Sequence, residues 1–140
     1  MFATANAAKA YATVGIETGV AAANPHKLIL MLFDGALLSL SSAANHMQKK
    51  HTAEKGLAIS KAIDIIANGL NASLDIKAGG ELAERLYALY EYMGNRLLHA
   101  NLHNDLAAIE EVSHLLGELR SAWEEIAQNP AAVSGNRVAA

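Results

Sequence analysis

Apolar residues recur three or four apart through most of the chain, the spacing of one helix face turned to a core. Ile29, Leu32, Ala36, Leu40, Ala43 and Met47 predict a first helix from Pro25 to about Lys50. Asn24-Pro25 opens it, with Asn as N-cap acceptor and Pro at a position where its missing N–H costs nothing. Leu28, Leu30, Met31, Phe33, Leu37 and Leu38 make its first half apolar almost all round, so that half is buried on several sides or binds something. A second helix is expected over about 52–77, with Thr52 as N-cap and Glu54 favourable to the helix dipole. Its main stripe is Ile59, Ile63, Ile66, Leu70 and Leu74. A second, smaller stripe is Ala58, Ala62, Ile65, Gly69, Ala72 and Ile76. Small side chains let another backbone come close, so this stripe either meets a second neighbour in the bundle or receives a partner. On the partner reading, Ile63 belongs to the core and Ile65 to the binding face.

Ala78-Gly79-Gly80 breaks the pattern. A third helix over about 81–101 turns Leu82, Leu86, Leu89, Met93, Leu97 and Ala100 inward. Asn104 or Asp105 caps a fourth, over about 105–129. There Ile109, Val112, Leu116, Leu119, Trp123 and Ile126 keep the alternating spacing of a bundle seam. Four such helices with short connections predict an all-α, antiparallel up-down four-helix bundle over residues 25–129. Residues 1–24 read as a flexible N-terminal arm and 130–140 as a disordered tail. The arm retains Phe2, Tyr11, Val14, Ile16 and Val20, which a plain linker would not need.

Composition narrows the function. Of 140 residues 29 are Ala and 19 Leu, against 18 Val, Ile and Thr together, which favours helix over sheet. The absence of cysteine removes disulfide scaffolds, thiolate metal sites and cysteine nucleophiles. A net charge of −3 argues against a nucleic-acid partner. The densest apolar run, Leu28 to Phe33, ends at Asp34, short of a membrane span. The first 20 residues hold no apolar stretch of a secretory signal.

Bundles often hold metals, so the six histidines matter. A di-iron bundle takes two Glu-x-x-His motifs and two further Glu. Glu111-x-x-His114 is one match, but the position before His99 is Arg96, which cannot ligate. His99 and His103 are spaced to share an ion without an evident third ligand. Gly15-x-x-x-Gly19 lacks the Lys-Ser/Thr of a phosphate loop, and Ser39, Ser41 and Ser42 have no nearby base. The residues therefore describe a non-enzymatic helical protein that works by binding, without a cofactor. A metal-binding bundle and a homo-oligomeric structural bundle are the alternatives.

Several blocks resemble the flagellin export chaperones of the FliS family. They are Ala10-Tyr11-Ala12, Val14-Gly15-Ile16-Glu17, Asn24-Pro25-His26-Lys27-Leu28-Ile29 and Met31-Leu32-Phe33-Asp34-Gly35. Further along come Ser60 to Leu70, Leu89-Tyr90-Glu91-Tyr92-Met93, Arg96 to Asp105, Glu110-Glu111-Val112 and Ala122-Trp123. The resemblance covers about residues 2–127. It implies a cytoplasmic chaperone that binds the C-terminal segment of flagellin, prevents premature polymerisation and aids delivery to the flagellar export gate. It also implies that the bound segment lies partly as helices in apolar grooves, and that the arm covers part of that surface when flagellin is absent. The expected contacts are Tyr11, Val14 and Ile16 of the arm, Leu28, and the stripe Ala58, Ala62, Ile65, Gly69, Ala72 and Ile76. A homodimer is also compatible with the spare apolar surface; membrane insertion is not expected.

Overall fold

The computed structural model describes residues 24–128 as an all-α four-helix bundle. Helix α1 is Pro25–Gln48 and helix α2 is Thr52–Asp64, continued by a π-helical segment, Ile65–Asn71. Helix α3 is Ile76–His103 and helix α4 is Leu106–Gln128. Connections this short leave successive helices antiparallel. Cross-links between helices bear out the up-down order. Lys55 near the start of α2 reaches Asn101 and Asn104 at the end of α3. Arg96 of α3 meets Glu111 early in α4, and Trp123 late in α4 meets His26 at the start of α1.

The termini show why the helices stop where they do. Asn24 Oδ1 accepts from Lys27 N at 2.8 Å, the expected N-cap with Pro25 behind it. α1 ends in a Schellman turn: His51 N donates to His46 O and Lys50 N to Met47 O. Lys50 takes the left-handed conformation such a turn requires (φ 61°), a position that glycine usually fills. Thr52 is the first residue of α2 rather than its cap, and His51, which precedes it, makes no side-chain capping bond. α3 begins earlier than the sequence suggests, because Asp75 caps it by accepting from Ala78 N. The expected break sits inside the helix at Gly80 (φ 55°, ψ −136°), a backbone open to glycine alone at little strain. Of the two candidate caps for α4, Asp105 accepts from Ala108 N.

The core runs along the bundle axis through Ile29, Leu32, Leu40, Ile59, Ile66, Leu70, Met93, Leu97, Ile109 and Leu116. Ile65 belongs to it with no exposed surface, whereas Ile63 is half-buried at its edge. The expected division of faces on α2 is therefore reversed at these two positions. Leu28 is core as well, at 2% exposure. By length and hydropathy α1 could also cross a membrane, but 44% of that stretch is buried in the bundle, which accounts for its apolar character.

One buried cation ties the helices together. Lys55 is 4% exposed, and its ammonium donates to Asn101 O at 2.9 Å and to Asn104 Oδ1 at 2.7 Å. Both acceptors lie at the C-terminus of α3, where the aligned peptide dipoles favour positive charge.

Candidate functional site

α1 and α2 pack against each other. They leave a groove of about 520 Å³ lined by Met31, Asp34, Gly35, Leu38, Ser39, Ser42, Ala58 and Lys61. Gly35, Ser39 and Ala58 keep it open because none carries a bulky side chain. Leu38 stands on its rim 74% exposed, a large apolar group held in water. Asp34 and Lys61 put opposite charges on the lining, and Asp34 is fixed by an ion pair with Arg120 of α4. The exposed surface of the groove is mainly apolar, with Asp34, Ser39, Ser42 and Lys61 as its polar members, a mixture that suits an amphipathic helix.

The residues expected to bind a partner are only partly gathered there. Ala58 lines the groove. Ala62, Ile65 and Gly69 are buried between helices, and Leu28 lies in the core. Ala72 is exposed at the end of the π-helical segment. Ile76, 43% exposed, is not on α2 at all but opens α3. The stripe fails as an exposed surface because this face of α2 meets a second neighbour in the bundle: Ala62 and Ile65 have no exposed surface, and Gly69 sits against Leu32 of α1. Tyr11, Val14 and Ile16 lie outside the described residues. Conversely, the sequence signal for Met31 and Leu38 was their place off the α1 stripe, in the half that is apolar all round.

A second, narrower cleft of about 130 Å³ opens between α1, α3 and α4, walled by Phe33, Leu82, Leu86, Tyr90, Leu119, Ala122, Trp123 and Ile126. Burial pushes the Tyr90 phenol up. At its edge the His26 ring stacks on Trp123 at 4.7 Å and 8°, while Trp123 Nε1 donates to His26 O at 2.9 Å. Burial holds His26 below its usual value, and Glu124 opposes that shift.

The polar side chains considered for metal binding are engaged elsewhere. Glu111 accepts from the Tyr92 hydroxyl and from Arg96 Nε at 2.8 Å, and these two bonds hold its carboxyl below the usual range. His114 pairs with Glu118 at 3.0 Å on the outside of α4. His99 pairs with Asp105 at 3.2 Å and packs against the His103 ring at 4.5 Å. Among the described residues no group of three or more His, Asp or Glu side chains comes together as a metal site.

Comparison with known proteins adds the family. A family model described as flagellar protein FliS matches residues 7–130. The flagellar secretion chaperone FliS of Salmonella typhimurium is 52% identical over 123 residues, 88% of this chain and 91% of that protein. The protein of the same name from Escherichia coli is 45% identical over 129 residues, covering 92% and 95%. That from Bacillus subtilis is 33% identical over 113 residues, covering 81% and 83%.

Proposed function

The chain belongs to the FliS family of flagellar proteins, and from that premise we propose that it is a cytoplasmic chaperone for flagellin. In this reading it binds the C-terminal segment of flagellin, keeps it from polymerising early and carries it to the export gate. The observation that supports the binding step is the apolar groove between α1 and α2, with Leu38 exposed on its rim. A flagellin segment that is unstructured alone folds as an amphipathic helix against Met31, Leu38 and Ala58, and the ordering cost is met by the apolar area it buries. Asp34 and Lys61 orient it by charge. Tyr11, Val14 and Ile16 of the arm cover part of the apolar surface in the free chaperone, which limits self-association through an open patch.

The test is co-purification with flagellin, full length and lacking its C-terminal segment, using the native chain and Leu38→Asp. Retention of full-length flagellin alone, lost with Leu38→Asp while helicity is unchanged, is expected. Because the contact is apolar, affinity changes little between low and moderate salt, unlike that of a phosphate-binding protein. Equal retention of truncated flagellin overturns the reading. Light scattering of the free protein separates this role from that of a homo-oligomeric bundle, which assembles without flagellin.

A further inference from the structure

The chain from Asn71 to Ile76 joins the end of α2 to the start of α3, and within it Leu74 is paired as a β-bridge. A β-bridge takes two stretches of backbone, and the second stretch is not among the described residues. The backbone bonds that Ser73 and Leu74 donate within those residues are local turn bonds, Ser73 N to Gly69 O and Leu70 O, and Leu74 N to Asn71 O. In the same connection Asn71 Oδ1 is buried with no hydrogen-bond partner among the described residues. Folded proteins keep few such acceptors, so each calls for a donor. On either side of Leu74, Ala72 is exposed and Ile76 is 43% exposed. A paired backbone, an open acceptor and uncovered apolar side chains therefore coincide at one end of the bundle.

Both ends of the chain lie at that end of the bundle. Residues 1–23 lead into α1 and residues 129–140 follow α4. α1 and α2 are neighbours, with axes about 8–10 Å apart in packed helices of this kind. The seven residues before Asn24 span up to about 23 Å when extended, enough to cross to the foot of α2. Sequence decides between the two ends. Ala12-Thr13-Val14-Gly15-Ile16-Glu17-Thr18 is rich in β-branched residues and alternates Val14 and Ile16 with Thr13, Gly15 and Glu17, the pattern of a half-buried strand. In residues 129–140, Val133 and Val138 are separated by Ser-Gly-Asn-Arg, without that alternation. We propose that residues 13–17 pair with Leu74 as an extended strand, with Val14 and Ile16 lying over Ala72 and Ile76. Main-chain bonds hold such an added strand, and its alternate side chains set the register. A donor from the strand meets Asn71 Oδ1. The arm is thereby tied to the α2–α3 connection in the free protein, whatever partner the bundle takes.

The test is nuclear magnetic resonance of the free, full-length chain, so its outcome does not depend on flagellin. Contacts are expected between the Val14 or Ile16 methyl groups and those of Ile76. Amide exchange across residues 13–17 is expected to be at least tenfold slower, relative to intrinsic rates, than across residues 2–8. Gly15→Pro/Ile16→Pro removes a backbone donor from each edge of the strand. It is expected to abolish the Val14–Ile76 contact and the protection while leaving helicity unchanged, because α1 begins only at Pro25. Contacts to Ile76 from Val133 or Val138 instead, or from neither end of the chain, overturn the assignment. So does protection of residues 13–17 that survives the two prolines.

Discussion

Replacing Lys55 with Met keeps most of the aliphatic stem and removes the buried ammonium. Two hydrogen bonds to Asn101 O and Asn104 Oδ1 go with it. Hydrogen bonds to charged groups contribute about 1.5–3 kcal/mol each, which sets an upper bound near 3–6 kcal/mol for the pair. The variant also escapes the desolvation of a buried cation, an offset of several kcal/mol for an isolated ion but less here, where the α3 C-terminus already favours positive charge. The net expectation is a loss of about 2–3 kcal/mol. For a domain of this size that lowers the melting temperature by roughly 8–12 °C. Thermal and urea unfolding followed by circular dichroism measure it, with Lys61→Met on the exposed side of α2 as the control. A double-mutant cycle with Asn104→Ala isolates the Lys55–Asn104 term, expected near 1 kcal/mol. A Lys55→Met loss below about 0.5 kcal/mol, or one equal to the Lys61 control, refutes the idea that the buried lysine clamps α3.

Three further outcomes are expected. Ile65→Asp places an unpaired carboxylate in the core and costs more than about 4 kcal/mol, whereas Ile63→Asp at the edge leaves the bundle folded, as circular dichroism in urea will show; the reverse order would restore the face assignment read from sequence. Lys50→Gly relieves a left-handed backbone in the Schellman turn and raises stability by about 0.5–1 kcal/mol, seen as a higher urea midpoint. Burial holds the folded-state pKa of His26 below its unfolded value of 6.5, so the unfolded chain binds the proton more readily. Its contribution is therefore present above that value and lost as pH falls below it, and the drop in urea midpoint between pH 7.5 and 5.5 shrinks in His26→Gln.

The four helices and most of their seams were legible because α-helical periodicity writes directly into sequence. Ile29, Leu32, Met93, Leu97, Ile109 and Leu116 were all assigned inward and are buried. Asn24 was legible as a cap because Asn-Pro is a local signal. The α2 faces were not, because α2 touches two neighbours, and which of its two apolar stripes lies deeper depends on how α1 packs against it, which no local window contains. Lys55 next to Glu54 in a first turn reads as solvated. Its burial depends on where the end of α3 falls, a long-range fact that no local window contains. The groove was half legible. Ala58 was named, but Leu38 was one of many apolar residues on α1, and which of them stays in water depends on how the other helices pack against α1.

The stack of His26 on Trp123 sets the first turn of α1 against the last turns of α4, so the bundle is a ring of helices cut at one place. Each helix already lies beside the two it neighbours in the cyclic order α1, α2, α3, α4. The covalent order is then one choice among several. A chain in which a short linker joins the end of α4 to the start of α1, with new ends opened at the turn 104–105, keeps every interhelical contact along α1. Such a permutant moves the chain ends about a helix length, roughly 35 Å, from the His26–Trp123 edge, and would let the two ends of the bundle be labelled independently.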